Sequence, residues 1–208
     1  MALIASENEQ IHEKCPAGQH SAVCIAVYDI GNQTLSYMGE TKELHQCIIC
    51  FELNKRMKEG DNAGKRFVMS KTFTLSLYDK SNLRKALETW RGKKFTEQEL
   101  KGFDIEVLIG VLCQIQVMHE EKNGKTYVNI QNISTLPEEM PKITAETVWK
   151  NPPKWIQKKQ IDGGVRTEIV ENEKPQQSTT KITNAQDTDM LDNIDDPHAT
   201  TNTMEVPF

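Results

Sequence analysis

No apolar run in these 208 residues approaches the ~20 that a bilayer-crossing helix needs, and the first seven residues have neither a basic start nor a long apolar stretch. Cysteine numbers only five, an odd count. Cys24, Cys47, Cys50 and Cys113 all sit inside apolar runs, where a free thiol behaves as a small hydrophobe. The expectation is a soluble, cytoplasmic chain without disulfides or a membrane partner.

The usual signatures of catalysis are missing too. There is no phosphate-cradling glycine motif, no His-x-x-x-His pair, and no nucleophile beside an evident base. A metal-dependent nuclease would want clustered carboxylates within the fold. Asp104, Glu106 and His119 are what the sequence offers, and nothing in their spacing argues for that role. Cys47-x-x-Cys50 with His45 nearby invites a zinc reading. Residues three apart on a strand point to opposite faces, however, and no second Cys-x-x-Cys exists. The reading is no catalytic residue, no metal and no cofactor.

What is present is segregated charge. Asn54 to Lys94 holds twelve Lys and Arg against four acids, while residues 161–208 hold ten acids against three bases. The net charge of −5 therefore describes neither half. Apolar, periodic sequence runs only from about Ala22 to about Leu136, enough for one modest core.

Strand periodicity begins at Ser21 to Ile30, with Val23, Ile25 and Val27 on one face and Ala22, Cys24, Ala26 and Tyr28 on the other. Asp29-Ile30-Gly31-Asn32 closes it, and Leu35 to Gly39 adds a short extension. Gln46 to Leu53 and Phe67 to Leu77 flank a glycine-containing connector and read as a hairpin with a basic tip. From Lys80 to Gly92 the period becomes helical, with Leu83, Ala86, Leu87 and Trp90 on one face and Trp90 packing the helix onto the barrel. Thr96-Glu97-Gln98-Glu99 resembles a capping box, and Ile105 to Ile109 forms another short turn. Val111 to Glu120 and Lys125 to Ser134 are two further strands joined by Asn123-Gly124.

Five strands with a helical insert between the third and fourth is the order of the OB-fold, a Greek-key barrel that binds oligonucleotides across one face. The fold class expected is mainly β: a five-stranded OB-fold barrel with that insert, followed by a disordered acidic C-terminal tail. Residues 1–18 form an irregular arm, 19–140 the nucleic-acid-binding domain, 141–160 a strap and 161–208 the tail. The strap, Thr147-Val148-Trp149-Lys150-Asn151-Pro152-Pro153-Lys154-Trp155-Ile156-Gln157-Lys158-Lys159, alternates basic and aromatic residues. It either extends the strand path or clips back onto the barrel.

The segments Met69 to Leu77, Asn82-Leu83-Arg84, Trp90-Arg91-Gly92, Phe103-Asp104, Gly110 and Gly124 to Ile130 together resemble a group of small bacteriophage proteins of the replication region, OB-fold single-strand binders. The resemblance covers about residues 20–140. It implies a non-enzymatic single-stranded DNA-binding protein of phage replication or recombination, working in the host cell cytoplasm. The alternative is an RNA-binding or protein-docking OB domain, such as an anti-defence factor.

Single-strand binding asks for cations along the phosphates and exposed aromatic faces for bases. The hairpin tip supplies Lys55, Arg56, Lys58, Lys65 and Arg66, with Lys71 further along the strand. With Val128 and Ile130 inward, Tyr127, Asn129 and Gln131 turn outward, which makes Tyr127 the first stacking candidate. Phe67, at the mouth of the loop, is the second, while Phe51 and Phe73 belong to the core. From Ile161 the composition is that of a disordered segment. Its acids include Asp192, Asp195, Asp196 and Glu205, ahead of Pro207-Phe208. This end resembles that of bacterial single-stranded DNA-binding proteins, whose acidic tail and terminal Pro-Phe recruit replication and repair enzymes. His198 to Thr203, lying between the aspartates and the tip, departs from that pattern. A terminal phenylalanine joins an apolar anchor and a carboxylate in one residue, which suits a pocket with a basic rim.

Overall fold

The computed structural model describes residues 13–37 and 39–171. Its frame is a long strand, β1 (Gly18–Tyr37), which pairs antiparallel with β2 (Glu40–Arg56) over most of its length. Its first residues, Gly18 to Val23, also pair with β4 (Leu112–Lys122). β3 (Arg66–Thr74) pairs with β2, and β5 (Lys125–Ser134) with β4. The result is a five-stranded antiparallel sheet in the order β3-β2-β1-β4-β5. Asn123 and Gly124, both at positive φ, make the expected turn between β4 and β5.

Two irregularities in β1 overturn its simple alternation. Ala22 and Cys24 face inward opposite Leu53 and Phe51, but a register shift at Ile25 puts Ala26 and Tyr28 on the outer face opposite Cys50 and Ile48. The turn expected at Asp29-Ile30-Gly31-Asn32 is a second bulge, with Gly31 at φ +67°, and the strand runs on to Tyr37.

β3 and β5 do not pair, so the sheet is not closed into the expected barrel. Lys71, an inward position of β3, bridges the seam by donating from Nζ to the Ile130 carbonyl at 2.6 Å. Burial lowers its pKa from the usual lysine value.

Inside the sheet lie Ile49, Phe51, Phe67, Phe73, Ile115, Val117, Ile130 and Ile133. Helix α1 (Asn82–Arg91) closes one end with Leu83, Leu87 and Trp90. Each such side chain contributes ~1.5–3 kcal/mol by leaving water. The Trp90 ring lies 5.5 Å from Phe51 and its Nε1 donates to the Leu112 carbonyl at 2.9 Å, so the expected anchoring holds. Ser81 caps the helix, its Oγ accepting from Arg84 N at 3.2 Å, and the helix stops at Gly92. Thr96 and Glu99 exchange the hydrogen bonds of the expected capping box. All five cysteines are free and buried. Burial pushes the thiols of Cys15 and Cys47 up to about 11 and those of Cys24 and Cys50 up to about 12.

After β5 the chain returns across the outer face of β1 and β2, which settles the choice left open for the strap: it clips back. It ends in a second helix, α2 (Lys154–Asp162). Ile156 joins Ala26, Ile30, Ile48 and Cys50 in one buried cluster, with Tyr28 and Trp149 stacked beside it at 6.5 Å. The end of α2 touches β1 where both chains carry glycine. A Cβ on Gly31 would lie 2.1 Å from the Gly163 carbonyl oxygen, and one on Gly163 would lie 1.8 Å from that of Ile30. Residues 163–171, expected to belong to a disordered tail, pack on α2. The Gln157 side-chain Oε1 accepts from Val170 N at 2.7 Å and from Arg166 Nη1 at 3.1 Å. Among the described residues no helix is long and apolar enough to cross a membrane.

Candidate nucleic-acid interface

The basic hairpin tip was expected to track phosphates, but the fold uses its arginines elsewhere. Glu52, an outer position of β2, is fully buried beneath the strap. Its carboxylate accepts from Arg66 Nη1 at 3.0 Å, Glu146 N at 3.0 Å and Thr147 N at 2.6 Å. Arg66 also donates to the Thr144 carbonyl at 2.7 Å, and only 14% of its side chain is exposed. Arg56 makes a bidentate pair with Glu146 at 2.6 and 3.0 Å. Both arginines therefore clamp the strap. The lysines differ: Lys55, Lys58 and Lys65 are exposed. The loop tip is held by Glu13, whose carboxylate accepts from the amides of Lys58 and Glu59.

Two further candidates also move. Phe67 is buried and presents no face to a base, because the alternation of β3 turns it inward with Phe73. Lys71 points to the seam for the same reason. Tyr127 is 48% exposed, as the strand pattern required, and Asn129 is exposed beside it. Their cross-strand partners are Glu120 and Met118, so a carboxylate stands beside this aromatic. Asp104 caps the turn at Glu106, and His119 donates to the Cys15 carbonyl at 2.7 Å. Among the described residues no three His, Cys, Asp or Glu side chains gather as a metal site would need. Cys50 lies under α2, while strand alternation turns Cys47 the other way. The tail residues Asp192, Asp195, Asp196, Glu205, Pro207 and Phe208 lie outside the described residues.

A different site emerges on the outer face of β3, which the strap leaves open. Gln46 and Thr74 are register partners, and with Thr72 they floor an open groove of about 450 Å³. Its wall is the turn between β3 and α1, carrying Tyr78 and Lys80, with Asn82 at the start of α1. That turn is braced at several points. Ser81 Oγ donates to the Ser76 carbonyl at 2.6 Å, Tyr78 N donates to Ser76 Oγ at 3.2 Å, and Ser81 N donates to the Tyr78 carbonyl at 2.9 Å. The bracing leaves Tyr78 66% exposed, the most open aromatic ring among the described residues. An aromatic plane, a lysine, two amides and two threonine hydroxyls thus converge on one concave surface. The sequence carried a signal for it: a tyrosine outside any apolar periodicity, two residues before a lysine and just ahead of the helix cap.

No family model matches this chain. Nor does any curated protein.

Proposed function

We propose that this is an OB-type single-stranded nucleic-acid-binding protein, and that the strand lies in the groove on the outer β2–β3 face. The groove itself carries the reading. Tyr78 offers a stacking plane worth ~1–3 kcal/mol per base, and Lys80 a cation for the adjoining phosphate. Gln46, Asn82, Thr72 and Thr74 offer donors and acceptors to any base edge, which suits tolerant binding better than readout of one sequence. The strand order matches that of OB-folds, whose strands 2 and 3 form the binding face. Lys58 and Lys65 on the loop joining those strands, with Lys55 at the end of β2, stand at the other end of the hairpin from the groove and add only a long-range attraction for a polyanion. The ligand proposed is single-stranded DNA, in phage replication or recombination, with the acidic C-terminal residues recruiting replication or repair proteins.

The test is a titration of fluorescent oligo-dT, poly-A RNA and duplex DNA. Oligo-dT should bind tightest, with an affinity that falls steeply as salt rises. Tyr78→Ala should weaken binding about tenfold while Tyr78→Phe costs little, since the ring and not the hydroxyl carries the stack. Equal binding of duplex and single strand, or an unaffected Tyr78→Ala, would overturn the assignment.

A further inference from the structure

Helix α2 is fixed in orientation by two residues. Ile156 is buried against β1 and β2, and Gln157 is buried with its amide donating to the Pro152 and Val170 carbonyls at 2.6 and 2.8 Å. The opposite side of the helix presents Lys154, Trp155 and Lys158 to solvent. Trp155 is 47% exposed, whereas the neighbouring Trp149 stacks on Tyr28, so the packing of the strap is carried by the other tryptophan. Lys154 pairs with Glu171 at 2.6 Å, both side chains remaining exposed. Lys158, one turn beyond Trp155, stands on the same helix face.

The position of this face relative to the groove is set by strand register. Gly163, at the end of α2, touches Gly31 of β1. Gly31 is the partner of Gln46 in β2, and Gln46 the partner of Thr74 in β3. The C-terminal end of the helix and the groove therefore lie at one level of the sheet, about two strand spacings or ~10 Å apart, and Trp155, in the first turn of α2, lies ~12 Å further along the helix axis. Both lie on the outer face, since Ile30 and Ile156 share the outer cluster and Thr72 and Thr74 alternate with the inward Phe73.

We infer that the exposed face of α2 is a second contact for the same single strand, with Trp155 stacking a base beyond the groove and Lys158 meeting its phosphate. This rests on the groove reading. It adds that the strap, besides covering the β1–β2 face, extends the binding path across it.

The test uses the full chain with oligo-dT of about 4 and about 16 nucleotides, the range one such fold spans. Trp155→Ala should leave the short oligonucleotide unaffected and weaken the long one about tenfold. Lys158→Ser should lower the log–log salt slope by ~0.7 for the long one alone. Trp155→Phe, which keeps a stacking ring and the fold, should retain affinity but lose most of the fluorescence quenching caused by the long oligonucleotide. If Trp155→Ala weakens both lengths equally, the helix acts only by supporting the groove and the inference falls. If it weakens neither while the unmodified chain binds both, the groove stands and the α2 contact is wrong. Failure of the unmodified chain to bind either length removes both readings. A Trp155 emission shift driven by protein concentration alone would assign the face to a second copy and also overturn the inference.

Discussion

β2 and β3 are hydrogen-bonded neighbours, yet their outer faces meet opposite fates. On β2 every residue from Cys47 to Leu53 is buried, because the strap covers Ile48, Cys50 and Glu52 from outside. On β3 the register partners of Ile48 and Cys50 are Thr72 and Ser70, and both are exposed. Beyond Arg66, which the strap clamps, cover stops where the outward side chains change from Ile48 and Cys50 to the hydroxyl-bearing Thr72 and Ser70. A strand buried on both faces reads as a continuous apolar run, and Cys47-Ile48-Ile49-Cys50-Phe51 is such a run. The boundary between cover and opening is thus written in two adjacent strands, and the open one is free to take a ligand.

The largest way to break this contrast is at Glu52. Glu52→Ala should cost ~3–5 kcal/mol, because Arg66 and two strap amides would stay buried without their partner. Urea unfolding measures the loss, and protease sensitivity of residues 141–171 reports release of the strap. The same group has a pH signature. Burial pushes the Glu52 carboxyl up, but hydrogen bonds from Thr147, Glu146 and Arg66 outweigh it and hold the group below its ordinary value. A carboxyl held low in the folded state stabilises fully above pH ~4.3, and that contribution fades as pH falls toward the folded value. Glu52→Gln should therefore flatten the acid limb of the stability curve below about pH 4. Glu99, held at about 2 by the Thr96 amide and then by Arg91, keeps a residual slope in the variant.

A smaller break comes from the strap side. Ile156→Ala deletes the residue that α2 inserts into the outer cluster and should cost ~2 kcal/mol or more, with the strap again the first segment cut by protease. The smallest effect belongs to the open strand: Thr72→Val should change stability by less than ~0.5 kcal/mol, as an exposed position does. If Thr72→Val matches Ile156→Ala in a thermal melt, the two faces are not different and the contrast fails.

Local chemistry was legible in the sequence. The five strands, the Ser81 cap, the Asn123-Gly124 turn and the docking of Trp90 follow from periodicity and turn residues within a few positions of each other. Pairings across long separations were not. Arg56 and Arg66 read as free loop cations because Glu146, their partner, lies about eighty to ninety residues further on. Phe67 reads as an aromatic at the mouth of the loop, but strand phase, where one residue decides inward or outward, turns it into the core. α2 was hidden because among its nine residues only Ile156 and Gln157 are buried, which leaves no clear amphipathic stripe. Gly163 to Glu171 read as tail by composition, yet hydrogen bonds to Gln157 and Gln160 hold this segment against the helix. Tyr78 belongs to no periodic element, and its exposure arises from a braced turn.

The central claim is that a single strand occupies the outer β2–β3 groove rather than the β4–β5 face. Ultraviolet cross-linking of the full chain to halogenated oligo-dT, with the adduct mapped by peptide mass, tests it in one measurement. The expected adduct lies on the peptide carrying Tyr78. An adduct on Tyr127 alone, or none on the segment from Thr72 to Asn82, would contradict the claim.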